Sequence, residues 1–253
     1  MKKNRSNADP MHRLALLWGS QTEAGRSGLT VKAIVTAAIE IADANGVEAL
    51  SMRSVAEQVG AGVMSLYTHV PGKTELIDLM IDTAYSHLYE SVDEPTQQPG
   101  DWSDALRFIA QRNWDLYNKH RWMLYVLSGR PVLGPNEAFK YEAELKPLDG
   151  LGLNDIEMDA SLTLVLTHVE GCARAHATQE SIQKDSGMTD SEWWLIQAPL
   201  MDKIVNPLLF PVATRVGTST GQEYNASSNP EHVFTFGLER ILTGIKMLIL
   251  EKT

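Results

Sequence analysis

Cysteine is almost missing from this 253-residue chain: Cys172 stands alone, so neither an internal disulfide, a multi-thiolate zinc site nor a redox pair can be built. Long apolar runs are missing too. No stretch approaches the roughly 18 residues needed to cross a bilayer, so no membrane partner is expected. The N-terminus lacks the parts of a secretion signal, because the apolar patch Leu14–Trp18 is short and no small-residue cleavage site follows it. A cytoplasmic location is the expectation. Strict period-two alternation bounded by turn residues is not found either, which leaves no basis for strands. Positive charge is scarce, and a formal net charge of −10 speaks at first against nucleic acid.

What is present is ordinary globular composition, 43% hydrophobic and 21% charged, in a length suited to two domains. The charge is unevenly spread. Residues 1–32 hold six basic side chains (Lys2, Lys3, Arg5, Arg13, Arg26, Lys32) against Asp9 and Glu23, whereas residues 91–253 hold 14 basic and 22 acidic ones. Only the first part has the character of a DNA-facing surface.

Residues 1–28 show no sustained periodicity and are expected to form a mobile arm. Apolar residues at 31, 34, 35, 38, 41 and 42 then predict a helix with one buried stripe, stopped at Asn45-Gly46. Ser51 can cap a second helix carrying Met52, Val55, Ala56 and Val59, which ends at Gly60-Ala61-Gly62. A third, short helix places Val63, Leu66, Tyr67 and Val70 on one side until Pro71-Gly72 breaks it. A longer helix is expected from Thr74 to about Val92, followed by the linker Glu94–Gly100. Further helices are expected near 101–119, 121–128, 136–150, 154–181, 189–208 and 231–250, with 217–229 a polar loop. The predicted class is all-α: an N-terminal three-helix unit over 29–73 and a larger helical domain over 74–253, linked by the helix 74–92.

Two short helices joined by a glycine-containing turn are the layout of a helix-turn-helix. Its second helix must be anchored on one side and present polar side chains to base edges on the other. Residues 51–70 meet that demand: Val55, Val59 and Leu66 lock the pair, and Met64, Ser65, Thr68 and His69 are left to face the major groove. Arg53 is placed for a bidentate contact to guanine, and Lys73 for a phosphate. Thr30 and Ser51 are counted with them as DNA-binding candidates.

The run from Leu29 to Met80, with Gly-Val-Glu-Ala-Leu-Ser-Met-Arg at 46–53 and Leu-Tyr-Thr-His-Val-Pro-Gly-Lys at 66–73, resembles the DNA-binding domain of the tetracycline-repressor family of bacterial regulators. Gly129-Arg130-Pro131, Gly171-Cys172 and the segment Phe234–Ile245 resemble that family's C-terminal domain. The resemblance implies a homodimer built through a four-helix bundle, a pocket for a small organic effector in each C-terminal domain, and release from double-stranded operator DNA when the effector binds. It carries the family's DNA contacts onto Arg53, Met64, Ser65, Tyr67, Thr68, His69 and Lys73. Tyr89 and Val126 fall where tetracycline-binding members carry drug- and magnesium-binding histidines; valine offers no lone pair, so neither metal nor other cofactor is expected. Counting along the helix after Trp102 puts Ile109 and Asn113 in the pocket, and Trp114, Trp122, Arg130, His168 and Cys172 join the ligand-binding candidates.

Three sharper patterns are outweighed. His168, Cys172 and His176 share a helix face but lack a completing carboxylate, and their small neighbours suit helix packing. Gly217-Thr-Ser-Thr-Gly221 fits a nucleophile motif that needs a strand before it. Gly150-Leu-Gly152 lacks a dinucleotide loop's third glycine. An activator of the same family, or a helical ligand-binding protein without DNA binding, is the alternative; an enzyme is not expected.

Overall fold

The structure, a computed structural model, describes residues 10–19, 29–127 and 130–252. Among them the fold is all-α, with no strand.

Helix α2 (Val31–Asn45) starts at Thr30, whose hydroxyl accepts from the Ala33 amide, and buries Ile34, Val35, Ala38 and Ala42, the predicted stripe. It stops at Gly46, whose φ of +80° an L side chain seldom adopts. Helix α3 (Met52–Gln58) opens on a reciprocal cap between Ser51 and Ser54. Gly60, at φ +66°, turns the chain into α4 (Val63–His69). Leu66 and Val70, fully buried, fasten α4 inward.

Helix α5 (Lys73–Tyr85) is buried on nearly every side, because α2, α1 (Pro10–Gly19) and α8 (Pro135–Leu145) all pack on it. It ends earlier than the expected Val92. Arg112, from α6 (Trp102–Lys119), donates to the carbonyl of Leu88 from Nε at 2.8 Å, and that contact across 24 residues replaces another helical turn. Helix α6 begins at Asp101, reciprocally capped with Asp104, after the predicted linker.

The chain continues through α7 (Met123–Val126), α8, α9 (Asp155–Ser186), α10 (Asp190–Ile204), α11 (Pro211–Tyr224) and α12 (Pro230–Leu250). Helices α9 and α12 form the main pairing of the larger domain, with α6 against α9. The start of α8 is set by Asp82 of α5, whose carboxylate accepts from the amides of Asn136 and Glu137 at 3.0 Å each. A Cβ on Gly134 would lie 2.1 Å from Asp82 Oδ1, so glycine lets the two helices close. One hydrophobic core runs from Leu17 through both parts of the chain to Ile245.

Two segments depart from expectation. Residues 10–19 of the proposed arm are helix α1: Leu17 is buried, Arg13 pairs with Asp78 of α5, and the Trp18 indole N–H donates to the Leu133 carbonyl at 3.0 Å. So short an apolar strip is marginal alone and is held by these distant contacts. The rest of the arm, residues 1–9 and 20–28, lies outside the described residues. The predicted loop from 217 is mostly the end of α11, which opens on Pro211 and closes on Asn225 at φ +51°. Gly221 there lies against Trp194, where a Cβ would meet the indole at 2.4 Å. The nucleophile-like Gly-x-Ser-x-Gly therefore sits on a helix, without the strand it needs.

Leu66 is the one fully buried side chain within α4, so Leu66→Ala is expected to cost about 2–5 kcal/mol in urea unfolding, and a loss under about 1 kcal/mol would contradict this packing.

Candidate nucleic-acid interface and internal chamber

The outer face of α4 is free. Met64 is 76% exposed and Tyr67 44%, with Ser65 and Thr68 also exposed and His69 half-buried. Tyr67, placed by its spacing on the packed side as well, belongs to this outer face. Thr68 Oγ1 donates to the Ser65 carbonyl at 2.6 Å, which fixes its rotamer. On α3, Arg53 donates from Nε to Glu57 Oε1 at 2.9 Å, and both side chains stand in solvent. That carboxylate raises the guanidinium's pKa further, so the arginine is always charged. Lys73 donates to the Val47 carbonyl at 3.3 Å, at the foot of α5. Thr30 and Ser51 serve as helix caps, with hydroxyls accepting from Ala33 and Ser54 amides at 3.0 Å each.

The electrostatics differ from the sequence-level picture. Between residues 29 and 73 the basic side chains Lys32, Arg53 and Lys73 meet four acidic ones, Glu40, Asp43, Glu48 and Glu57, so this unit is nearly neutral. Of the basic residues before it, Arg13 is engaged by Asp78, and Lys2, Lys3, Arg5 and Arg26 lie outside the described residues.

A chamber of about 720 Å³ opens among α5, α6, α8 and α9, with Leu127, Arg130, Pro131 and Leu133 and with Trp18 at the end of α1. Its walls include Tyr85, Tyr117, Leu127, Leu133, Tyr141 and Leu166, with the charged groups Arg130, Glu137, Lys140, Glu144, Asp159 and Glu170. Lys140 and Glu144, one turn apart on α8, are buried and bonded at 2.5 Å. The Lys140 ammonium also lies 5.4 Å from the Tyr85 ring centroid. Burial pushes the Tyr85 and Tyr117 hydroxyls far above the usual phenol range, so both stay neutral donors. Burial likewise raises the Glu137 carboxyl, against the Leu133 amide that it accepts from at 2.6 Å.

Of the nine predicted ligand-binding residues, Arg130 lines this chamber. Tyr89 and Asn113 stand one layer behind it, donating to Glu144 Oε1 at 2.8 and 2.7 Å; they hold a wall residue. Burial, then the Glu144 charge, lifts the Tyr89 hydroxyl well above its usual range. Ile109 is fully buried in the core of α6. Trp114 turns the other way and packs on Phe234 of α12 at 4.6 Å between centroids. Trp122 lies at the seam between the two parts, where its indole donates to Asp43 of α2 at 2.8 Å beside His120, 2.9 Å from the same oxygen. Val126 is half-buried at the end of α7 and is not part of the lining.

His168 and Cys172 belong to the packing of α9 on α12. The His168 ring lies 3.0 Å from the Phe234 carbonyl, and a Cβ on Gly237 would come within 2.3 Å of that ring. Cys172 is buried beside it, which raises its thiol pKa. Among the described residues no group of three or more His, Cys, Asp or Glu side chains could hold a metal.

The wall residues were missed because they converge from separate helices. One signal was available: the count that reaches Ile109 and Asn113 arrives, four residues on, at Tyr117, which does face the chamber.

Residues 34–80 match the family described as bacterial regulatory proteins, tetR family, and residues 94–249 match the tetracyclin repressor-like C-terminal domain. The chain is 36% identical to the HTH-type transcriptional repressor DrrR1 of Streptomyces coeruleorubidus, across 97% of this chain and 89% of that one. Apo ActR from Streptomyces coelicolor superposes with a TM-score of 0.71 at 27% identity, covering 89% of this chain and 98% of ActR. ActR in complex with actinorhodin gives 0.70 at 26% identity, covering 86% and 95%.

Glu144→Ala strands the Lys140 ammonium, with its side chain only 10% exposed, and is expected to cost about 3–5 kcal/mol in urea unfolding. Removing both charges together while keeping an acceptor for Tyr89 and Asn113, as Lys140→Met with Glu144→Gln, should recover most of that loss; a double variant worse than the single one would refute the pairing.

Proposed function

The chain belongs to the tetracycline-repressor family of bacterial regulatory proteins, and from that premise we propose that it is an effector-responsive repressor that binds operator DNA as a homodimer and lets go when a small organic molecule fills the chamber. The observation carrying this reading is the pairing of an outward, unpacked α4 face with a 720 Å³ chamber in one continuous core.

On DNA, α4 enters the major groove and offers Met64, Ser65, Tyr67, Thr68 and His69 to base edges and sugar-phosphate walls. Arg53 reaches a guanine, with Glu57 steadying its guanidinium beforehand. Lys73 takes a phosphate, as do the capped helix starts at Thr30 and Ser51.

The second copy is called for by exposed apolar surface. Helix α10 has no buried residue, and Leu195, Ile204, Leu208, Leu209 and Val212 are all more than 60% exposed. An apolar surface of that extent marks an interaction site on a protein that is not aggregating. Val233, Phe236 and Met247 of α12 add to it. Two copies related by a two-fold axis read a palindromic operator when their α4 helices lie about 34–36 Å apart.

Release follows from α6. Tyr117 faces the chamber near the end of this helix, and three and five residues later His120 and Trp122 grip Asp43 of the DNA-binding unit. An effector that prefers one position of Tyr117 therefore prefers one position of α2, and only such a difference in affinity can shift the population. With Val126 where a ligating histidine would stand, the effector is held without a metal. The proposed regulator acts in the cytoplasm and catalyses no reaction; among the described residues no helix is long and apolar enough to cross a membrane.

Fluorescence anisotropy with DNA from upstream of the gene tests the interface. Thr68→Ala and His69→Ala should each weaken binding by about tenfold and relax sequence preference. Lys73→Ala should weaken all sequences alike and lower the log-log salt slope by about 1. Unchanged affinity and preference in both α4 variants would remove α4 from the groove.

A further inference from the structure

Helix α1 lies before the first matched stretch of family sequence, which starts at residue 34, yet it reaches the chamber. We propose that α1 is one of the chamber's walls and that Trp18 is the face on which a flat aromatic effector bearing a cationic group stacks, an inference that rests on reading the chamber as the effector site.

Three observations converge on Trp18. Its side chain is 59% exposed, a large aromatic surface that the fold does not cover, and it lines the chamber. The ring is nevertheless fixed in orientation, because its N–H donates to the Leu133 carbonyl at 3.0 Å and Leu133 sits in the lining segment at φ +63°. The helix under it is anchored on α5: Leu17 is buried and Arg13 bonds Asp78 from Nε at 2.9 Å. An exposed but immobilised indole is a preorganised stacking surface, with little rotamer freedom to lose on binding.

The charge preference comes from what is left after internal pairing. Lys140 and Glu144 neutralise each other at the back wall, and Glu170 is held by Arg174. Glu137, which accepts from the Leu133 amide, and Asp159, which accepts from the Tyr141 hydroxyl at 2.8 Å, then outnumber Arg130, an excess of carboxylate in the chamber that the Trp18 face also lines. Aromatic faces and carboxylates together favour a cation and disfavour an anion of the same shape.

The test uses the full chain without DNA, so it reads the chamber independently of whether the protein binds an operator. Titration calorimetry compares proflavine, a flat tricyclic cation, with anthraquinone-2-sulfonate, a flat tricyclic anion. Proflavine should bind at one site per chain, and the sulfonate at least about tenfold more weakly. Trp18→Leu should weaken proflavine by about fivefold to tenfold, while Trp18→Phe, which keeps an aromatic face, stays within about threefold. Circular dichroism melting checks that the variants fold. Should Trp18→Leu loosen α1, Glu137→Gln carries the test by narrowing the gap between the two probes. Equal binding of both probes, no binding of proflavine, or wild-type proflavine affinity in a folded Trp18→Leu variant would overturn the proposal.

Discussion

A helix buried on nearly every side has few places for charge, and α5 carries three carboxylates there, Glu75, Asp78 and Asp82. Each uncompensated buried charge would cost several kcal/mol, on the order of 3–5 when one partner of a pair is missing. Burial raises the pKa of both Asp78 and Asp82, and that desolvation is opposed by partners recruited from far along the chain. Asp78 takes Arg13 and so fixes α1; Asp82 takes the first amides of α8 and so fixes the wall that carries Lys140 and Glu144. Two sides of the chamber therefore hang on one helix, whose first residue, Lys73, follows the recognition helix by four positions.

The second link between chamber and DNA-binding unit is polar and small. Asp43, near the end of α2, receives the Trp122 indole and lies beside His120, and both sit just beyond α6. Trp122 is 2% exposed and His120 5%, while the Asp43 side chain keeps 31% of its surface in solvent, so two buried donors with fixed rings meet a carboxylate at the edge of the seam. A seam with few polar contacts in fixed geometry favours discrete arrangements over gradual deformation, which is what a switch between two spacings of a dimer requires.

Local regularities were legible in the sequence. The stripe of α2, its stop at Gly46, the Ser51 cap and the inward Leu66 and Val70 all follow from spacing and turn chemistry within a dozen residues. What escaped depends on distance. Helix α1 is held by a partner 65 residues away, the end of α5 by Arg112, and α11 by the close approach of Gly221 to Trp194. The same holds for the chamber. Helical counting points Asn113 toward it and family resemblance points Tyr89 there, but a period or a matched position says only which side faces inward; Glu144 from another helix stands between them and the cavity.

The near-neutral balance of residues 29–73 bears on how such a regulator would search a chromosome. Loose attachment to arbitrary duplex is mostly phosphate attraction and grows with every uncompensated lysine or arginine. A reading head with little surplus positive charge dwells briefly on the wrong sequence, so the ratio between right and wrong sites is set by the fit of a few side chains. Molecules that have let go are then less readily held by bulk DNA, which shortens the delay between a rise in effector and the onset of transcription.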